Sequence, residues 1–152
     1  MPVWEDEPAK SGSVGGAAAA IAASFNTKDV SAMASGAKEM LKSARSGGFR
    51  VSEEAAKPIR EVLQKHVEEV ERMAHDFSLL ALAPPALGHH DYGKRVAEFQ
   101  LRATAVDPDS PAEVLKKLRQ VLVDADKALE IAVQKYQEAE DAAASSVKSR
   151  QV

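Results

Sequence analysis

The sequence predicts an all-α protein: a long antiparallel helical hairpin with a shorter third helix and a mostly disordered N-terminal arm. Three observations predict it. Two separate stretches carry apolar residues at alternating steps of three and four, which draws one seam along each of two helices. No stretch reads as a strand. Hydrophobic residues make up 45% of the chain, but alanine supplies much of that and aromatics only 5%. This balance favours helices meeting through small seams over a thick globular core.

Residues 1–48 read as a flexible low-complexity leader that can hold a short helix. Trp4, the single tryptophan, sits there among acidic residues, Pro, Ser and Gly. Thr27 is placed to cap a helix reaching Ala44, with Val30, Met33, Ala37, Met40 and Leu41 on one face. Ser46-Gly47-Gly48 stops it and acts as a hinge. Ala17 to Ala23 is the nearest approach to a signal-peptide core. Glu5, Asp6 and Glu7 precede it where a basic region belongs, so a conventional secretory signal is not expected.

The helical-hairpin domain spans 49–145. Phe49-Arg50-Val51 is an extended lead-in, and Ser52 caps the first long helix, to Ala83. Its seam is Ala56, Ile59, Leu63, His66, Val70, Met73, Phe77 and Leu80, with Pro58 as a flaw that kinks or delays the helix. Pro84-Pro85 ends it, and Ala86 to Asp91 is a loop. Tyr92 to Ala105 forms the shorter helix, with Val96, Phe99 and Ala103 at helical spacing. Ser110-Pro111-Ala112-Glu113 opens the second long helix as a capping box with proline at the first position. Its seam runs Leu115, Leu118, Leu122, Ala125, Leu129, Ala132, Tyr136 and Ala139. To Asp141 this rod measures about 45 Å at 1.5 Å per residue. Residues 146–152 read as a flexible tail.

The composition excludes several functions. A formal charge of −3 provides no basic field for nucleic acid or anionic lipid. The absence of cysteine removes thiolate nucleophiles, disulfides and Cys-ligated zinc. No apolar run approaches the ~20 residues of a membrane span. There is no Gly-rich phosphate cradle, nucleophile elbow, zinc helix or EF-hand loop. His89, His90 and Asp91 could invite a metal, but adjacent side chains diverge, and Glu68, Glu69 and Glu71 beside His66 and His75 lack the histidine that a carboxylate-bridged site needs on the second helix. No enzyme, metal or cofactor is expected.

The two long helices, the Gly-containing loop between them and Tyr136-x-x-x-Glu140 near the end of the last helix resemble the small helical proteins of ESX (type VII) secretion systems. The likeness is to the EspC-like branch of the WXG-type superfamily. It runs from Phe49-Arg50-Val51-Ser52 through the Leu87-Gly88 to Tyr92-Gly93 turn region and covers Phe49 to Asp141. The Trp-x-Gly turn of the best-known branch is missing, and the leader and middle helix are additional. The resemblance implies an exported helical hairpin, secreted or at the cell surface by a non-classical route, with a cytoplasmic pool. It implies a protein partner as homo- or heterodimer, and recognition of Tyr136 and Glu140 by the secretion ATPase. Ile59, Leu63, Val70, Phe77, Leu115, Leu118, Leu122 and Leu129 are then the packing or partner seam. The alternative is a cytosolic adaptor or immunity-like protein that binds a partner through the same seams. A metal-dependent enzyme is the third reading, and it needs His89, His90 and Asp91 to converge with another helix.

Overall fold

The computed structural model describes residues 27–150, which are all-α. The helices are α1 (Thr27–Arg45), α2 (Glu53–Leu82), α3 (Asp91–Leu101) and α4 (Pro111–Arg150), with a wide π-turn over Arg102–Val106. The start of the leader, including Trp4, lies outside the described residues.

Helix α2 starts where the sequence signals it. Ser52 is extended and its hydroxyl accepts the N–H of Ala55 at 3.3 Å, with Glu53 and Glu54 in the first turn. The helix runs through Pro58 to Leu82 without a break. Ser110 caps α4 by accepting the N–H of Glu113 at 3.4 Å, and it is 1% exposed. The expected capping box is only half formed. The Ser110 N–H is taken by the Asp107 carbonyl, and the Glu113 carboxylate is held by Lys116 at 2.6 Å.

The long helices form the expected antiparallel pair. Gln137 faces Glu53, Arg60 reaches Asp126 and Glu130, and Arg119 reaches Glu71. The pair with Asp126 is the tightest, at 2.8 Å, and both side chains are partly buried. The hydrogen bond from Arg60 to Asp126 holds the guanidinium above its ordinary pKa, against a smaller opposing effect of burial and with help from the charges of Asp126 and Glu130. It therefore fixes the register as a permanent cation.

The leader from Thr27 to Arg45 is not loose, which corrects that part of the sequence reading. It is helical, and it packs along α4 as extensively as α2 does, while α1 and α2 scarcely touch each other. Thr27 does not serve as a cap; its hydroxyl donates to the carboxylate of Asp109. At the other end Ala44 lies with Ala128 and Ala132 in a cluster joined by Met40, Leu41, Phe49, Val51 and Ile131. Helix α1 thus runs parallel to α4. Two rows spaced by seven are buried here, Val30, Ala37 and Ala44 on α1 and Val114, Val121 and Ala128 on α4. Small side chains let the helix axes come close, so dispersion contacts replace bulk. The extended lead-in closes this end, where the Val51 N–H donates to the Ala132 carbonyl at 3.4 Å.

The hinge between α1 and α2 is a built structure. Gly48 N–H bonds the Ser43 carbonyl and Gly47 N–H the Ala44 carbonyl, the paired bonds of a Schellman stop, with Gly47 at φ +77. Gly93 serves a different need. A β-carbon there would lie 2.3 Å from the Leu87 carbonyl oxygen, because the loop backbone rests directly on the first turn of α3. Gly93→Ala is expected to cost about 1–3 kcal/mol by overpacking, read as a lower urea midpoint; an unchanged midpoint would show that the loop yields freely.

Two boundaries differ from expectation. The shorter helix ends at Leu101, and the chain widens into the π-turn, closed by the Asp107 N–H on the Arg102 carbonyl at 2.8 Å. Helix α4 does not give way to a flexible tail at 146 but continues to Arg150. Ala142 to Ala144 favour helix, no glycine or proline follows, and the Ser146 and Ser149 hydroxyls bond carbonyls of the preceding turn.

Candidate recognition end and partner seam

Antiparallel register determines what surrounds Tyr136 and Glu140. Helix α2 begins at Glu53 opposite Gln137, so α4 from Glu138 onward has no part of α2 beside it. Tyr136 is 37% exposed, on the boundary between packed and free helix. Glu140 is exposed one turn further on, and so are all residues from there to Arg150. Residues four apart share a face, so the phenol and the carboxylate are neighbours on a projecting helix. Its final ten residues past Glu140 extend about 15 Å. The sequence reading places the pair just before a loose tail, whereas the structure places it in mid-helix.

The partner seam divides. Val70 and Leu129 are buried, at 6% and 4%, and Leu63, Phe77, Leu115, Leu118 and Leu122 are half-buried. Ile59 is 52% exposed and does not belong to the packed seam. The helix contacts α4 instead through Ala56, Leu63, Val67, Val70 and Ala74, a stripe rotated away from Ile59. Arg60, Gln64 and Glu71 pull that side of α2 onto α4. The row beside it, with Val62, Met73 and Leu80, is left in water. The reading from sequence also missed Val114, Val121 and Ala128. Their seven-residue spacing, matched by Val30, Ala37 and Ala44, was the available signal.

An open groove of about 450 Å³ runs along α2 and α4 past Arg60. Its central cation is already committed to Asp126 and Glu130, so it offers a polar cleft rather than a free catalytic pair. Among the described residues no three His, Asp or Glu side chains converge to hold a metal ion, and His89, His90 and Asp91 are no exception. No described helix is long and apolar enough to cross a membrane. No protein-family model, curated protein or solved structure matches this chain.

Proposed function

We propose that this chain is an export substrate or secretion-associated partner of a type VII (ESX) secretion system, passed to the secretion ATPase as a folded helical protein. Tyr136 and Glu140 are the recognised pair in this reading. The observation that carries it is their joint exposure on the projecting end of α4, where a receptor can reach an aromatic edge and a fixed negative charge without opening the bundle. The protein then resides in the medium or at the cell surface, with a cytoplasmic pool. The seam residues that lie inside, Val70 and Leu129 foremost, keep the hairpin intact during passage, and the pairing that the reading implies uses surface outside them.

The test is to follow the intact chain in a host with a working type VII system and in the same host lacking its ATPase. Full-length protein should appear in the medium of the first and stay in the cells of the second. Equal release from both hosts would end the proposal. The exposed row on α2 favours a second reading, a cytosolic adaptor that binds a partner there; recovery of the chain only from cytosol, in fixed ratio with one other protein, would support it.

A further inference from the structure

Helix α3 turns its small and aliphatic side chains inward and its aromatic ones outward. Gly93 is buried against the Leu87 carbonyl, and Val96, Ala97 and Leu101 are half-buried. Tyr92 and Phe99, by contrast, are 80% and 74% exposed. At 100° per residue they share a sector of about 80° with Arg95 and Arg102. Arg95 is exposed and forms no ion pair among the described residues. Arg102 meets Asp107 at 3.3 Å, yet its side chain stays 69% exposed. Single surface hydrophobics need no explanation. Two rings in line on a short helix, with a guanidinium between them, form a platform suited to an aromatic side chain flanked by acids.

The chain itself supplies such a segment, and it joins the fold at this end of the molecule. Residues 1–26 lie outside the described residues and enter at Thr27, whose hydroxyl donates to the Asp109 carboxylate. Asp107, two positions before Asp109, holds Arg102. The entry point is thus close to one end of the platform. Trp4 is followed directly by Glu5, Asp6 and Glu7, and twenty positions separate Glu7 from Thr27. That length spans about 30 Å even when wound as helix, and α3 is only about 16 Å long. The charges agree. Across Asp91–Val106 the basic Lys94, Arg95 and Arg102 outnumber Asp91 and Glu98, whereas Lys10 is the only base against three acids in residues 1–26. Phe25, the other aromatic residue before Thr27, has no acid beside it and lies next to the entry point. A tether also raises the local concentration to the order of millimolar, so a small contact suffices.

We propose that the Trp4-Glu5-Asp6-Glu7 segment of the same chain docks on the outer face of α3, its indole on Tyr92 and Phe99 and its carboxylates toward Arg95 and Arg102. Indole is the best aromatic partner for a guanidinium, and the acids add opposite charge at the rim. The contact holds whether or not the chain is exported, so failure of one does not decide the other.

The experiment reads tryptophan fluorescence of the full chain, in which Trp4 is the single source of the signal. The parent should emit at shorter wavelength than it does in urea, and acrylamide should quench it less. Dilution should leave that shift unchanged, as a contact within one chain requires. Phe99→Ala and Arg95→Glu, both at exposed positions, should each move the emission to the wavelength seen in urea while circular dichroism keeps its helical spectrum. Glu5→Lys, Asp6→Lys and Glu7→Lys made together should do the same without touching α3. A parent whose Trp4 emits as it does in urea overturns the proposal. So does a shift that survives any of the three changes, which places the indole elsewhere, or one that fades on dilution, which makes the occupant another molecule. A shift that appears only when phosphatidylserine vesicles are added assigns the segment to a lipid surface and overturns it too.

Discussion

Tyr136→Ala and Glu140→Ala are each expected to hold the chain inside the cell while leaving it folded. Neither side chain is part of the buried core: Tyr136 is 37% exposed and Glu140 lies where α4 has passed the start of α2. Each removal should therefore shift the melting temperature little, as surface changes do. The effect on recognition should be large, because a receptor pocket concentrates its binding energy on an aromatic anchor and a charge. Export should fall by about tenfold or more for each, which needs a loss of only ~1.4 kcal/mol of binding. The measurement is the ratio of protein in medium to protein in cells. Glu140→Gln separates charge from shape and should behave like Glu140→Ala. Normal release of both alanine variants would show that the pair is not the signal. If Tyr136→Ala unfolded the protein and Glu140→Ala were silent, Tyr136 would simply be finishing the seam.

A chain beginning at Phe49 is expected to melt well below one beginning at Thr27. From sequence, residues 1–48 read as a flexible low-complexity leader. The structure instead sets Val30, Ala37 and Ala44 against α4, at 0%, 7% and 0% exposure. Their loss would uncover that side of α4, where Val114, Val121, Ala128 and Ala132 are buried, and would strip Phe49 and Val51 of part of their cluster. Burial of a valine contributes about 1.5–3 kcal/mol and each methylene about 0.8. The loss should therefore reach about 3–6 kcal/mol, or on the order of 10–20 °C in melting temperature for a domain of this size. Identical melting of the two chains would restore α1 to the status of a loose arm. Leu129→Ala, at a 4% exposed position, offers a calibration within the core, with an expected cost of about 2–5 kcal/mol.

The amino-acid sequence determined the elements with their own local signals. Ser52 and Ser110 each place a hydroxyl where free N–H groups need an acceptor, and both caps are formed. Ser46-Gly47-Gly48 stops α1 because glycine accepts the left-handed turn at no steric cost. The two seams announced the α2–α4 pair, and Val70 and Leu129 are enclosed within it. Nothing local marks the contact between the Gly93 turn and the Leu87 carbonyl, which exists only once the loop has folded back.

Tertiary structure decided the number of neighbours each helix has. Periodicity reports which residues share a face, not what lies against that face. Helix α4 carries two neighbours, so it buries Val114, Val121 and Ala128 as well as Leu129. Helix α2 has α4 along its length and the π-turn as its other main neighbour, so only one stripe of its wider apolar surface is covered and Ile59 remains in water. The Arg60–Asp126 pair, separated by 66 positions in the chain, selects which stripe that is. A helix propensity without a stop carried α4 on to Arg150, and register against α2 left its last turns free. Tyr136 and Glu140 could be named from the sequence, but their accessibility could not, because it depends on where a partner helix starts.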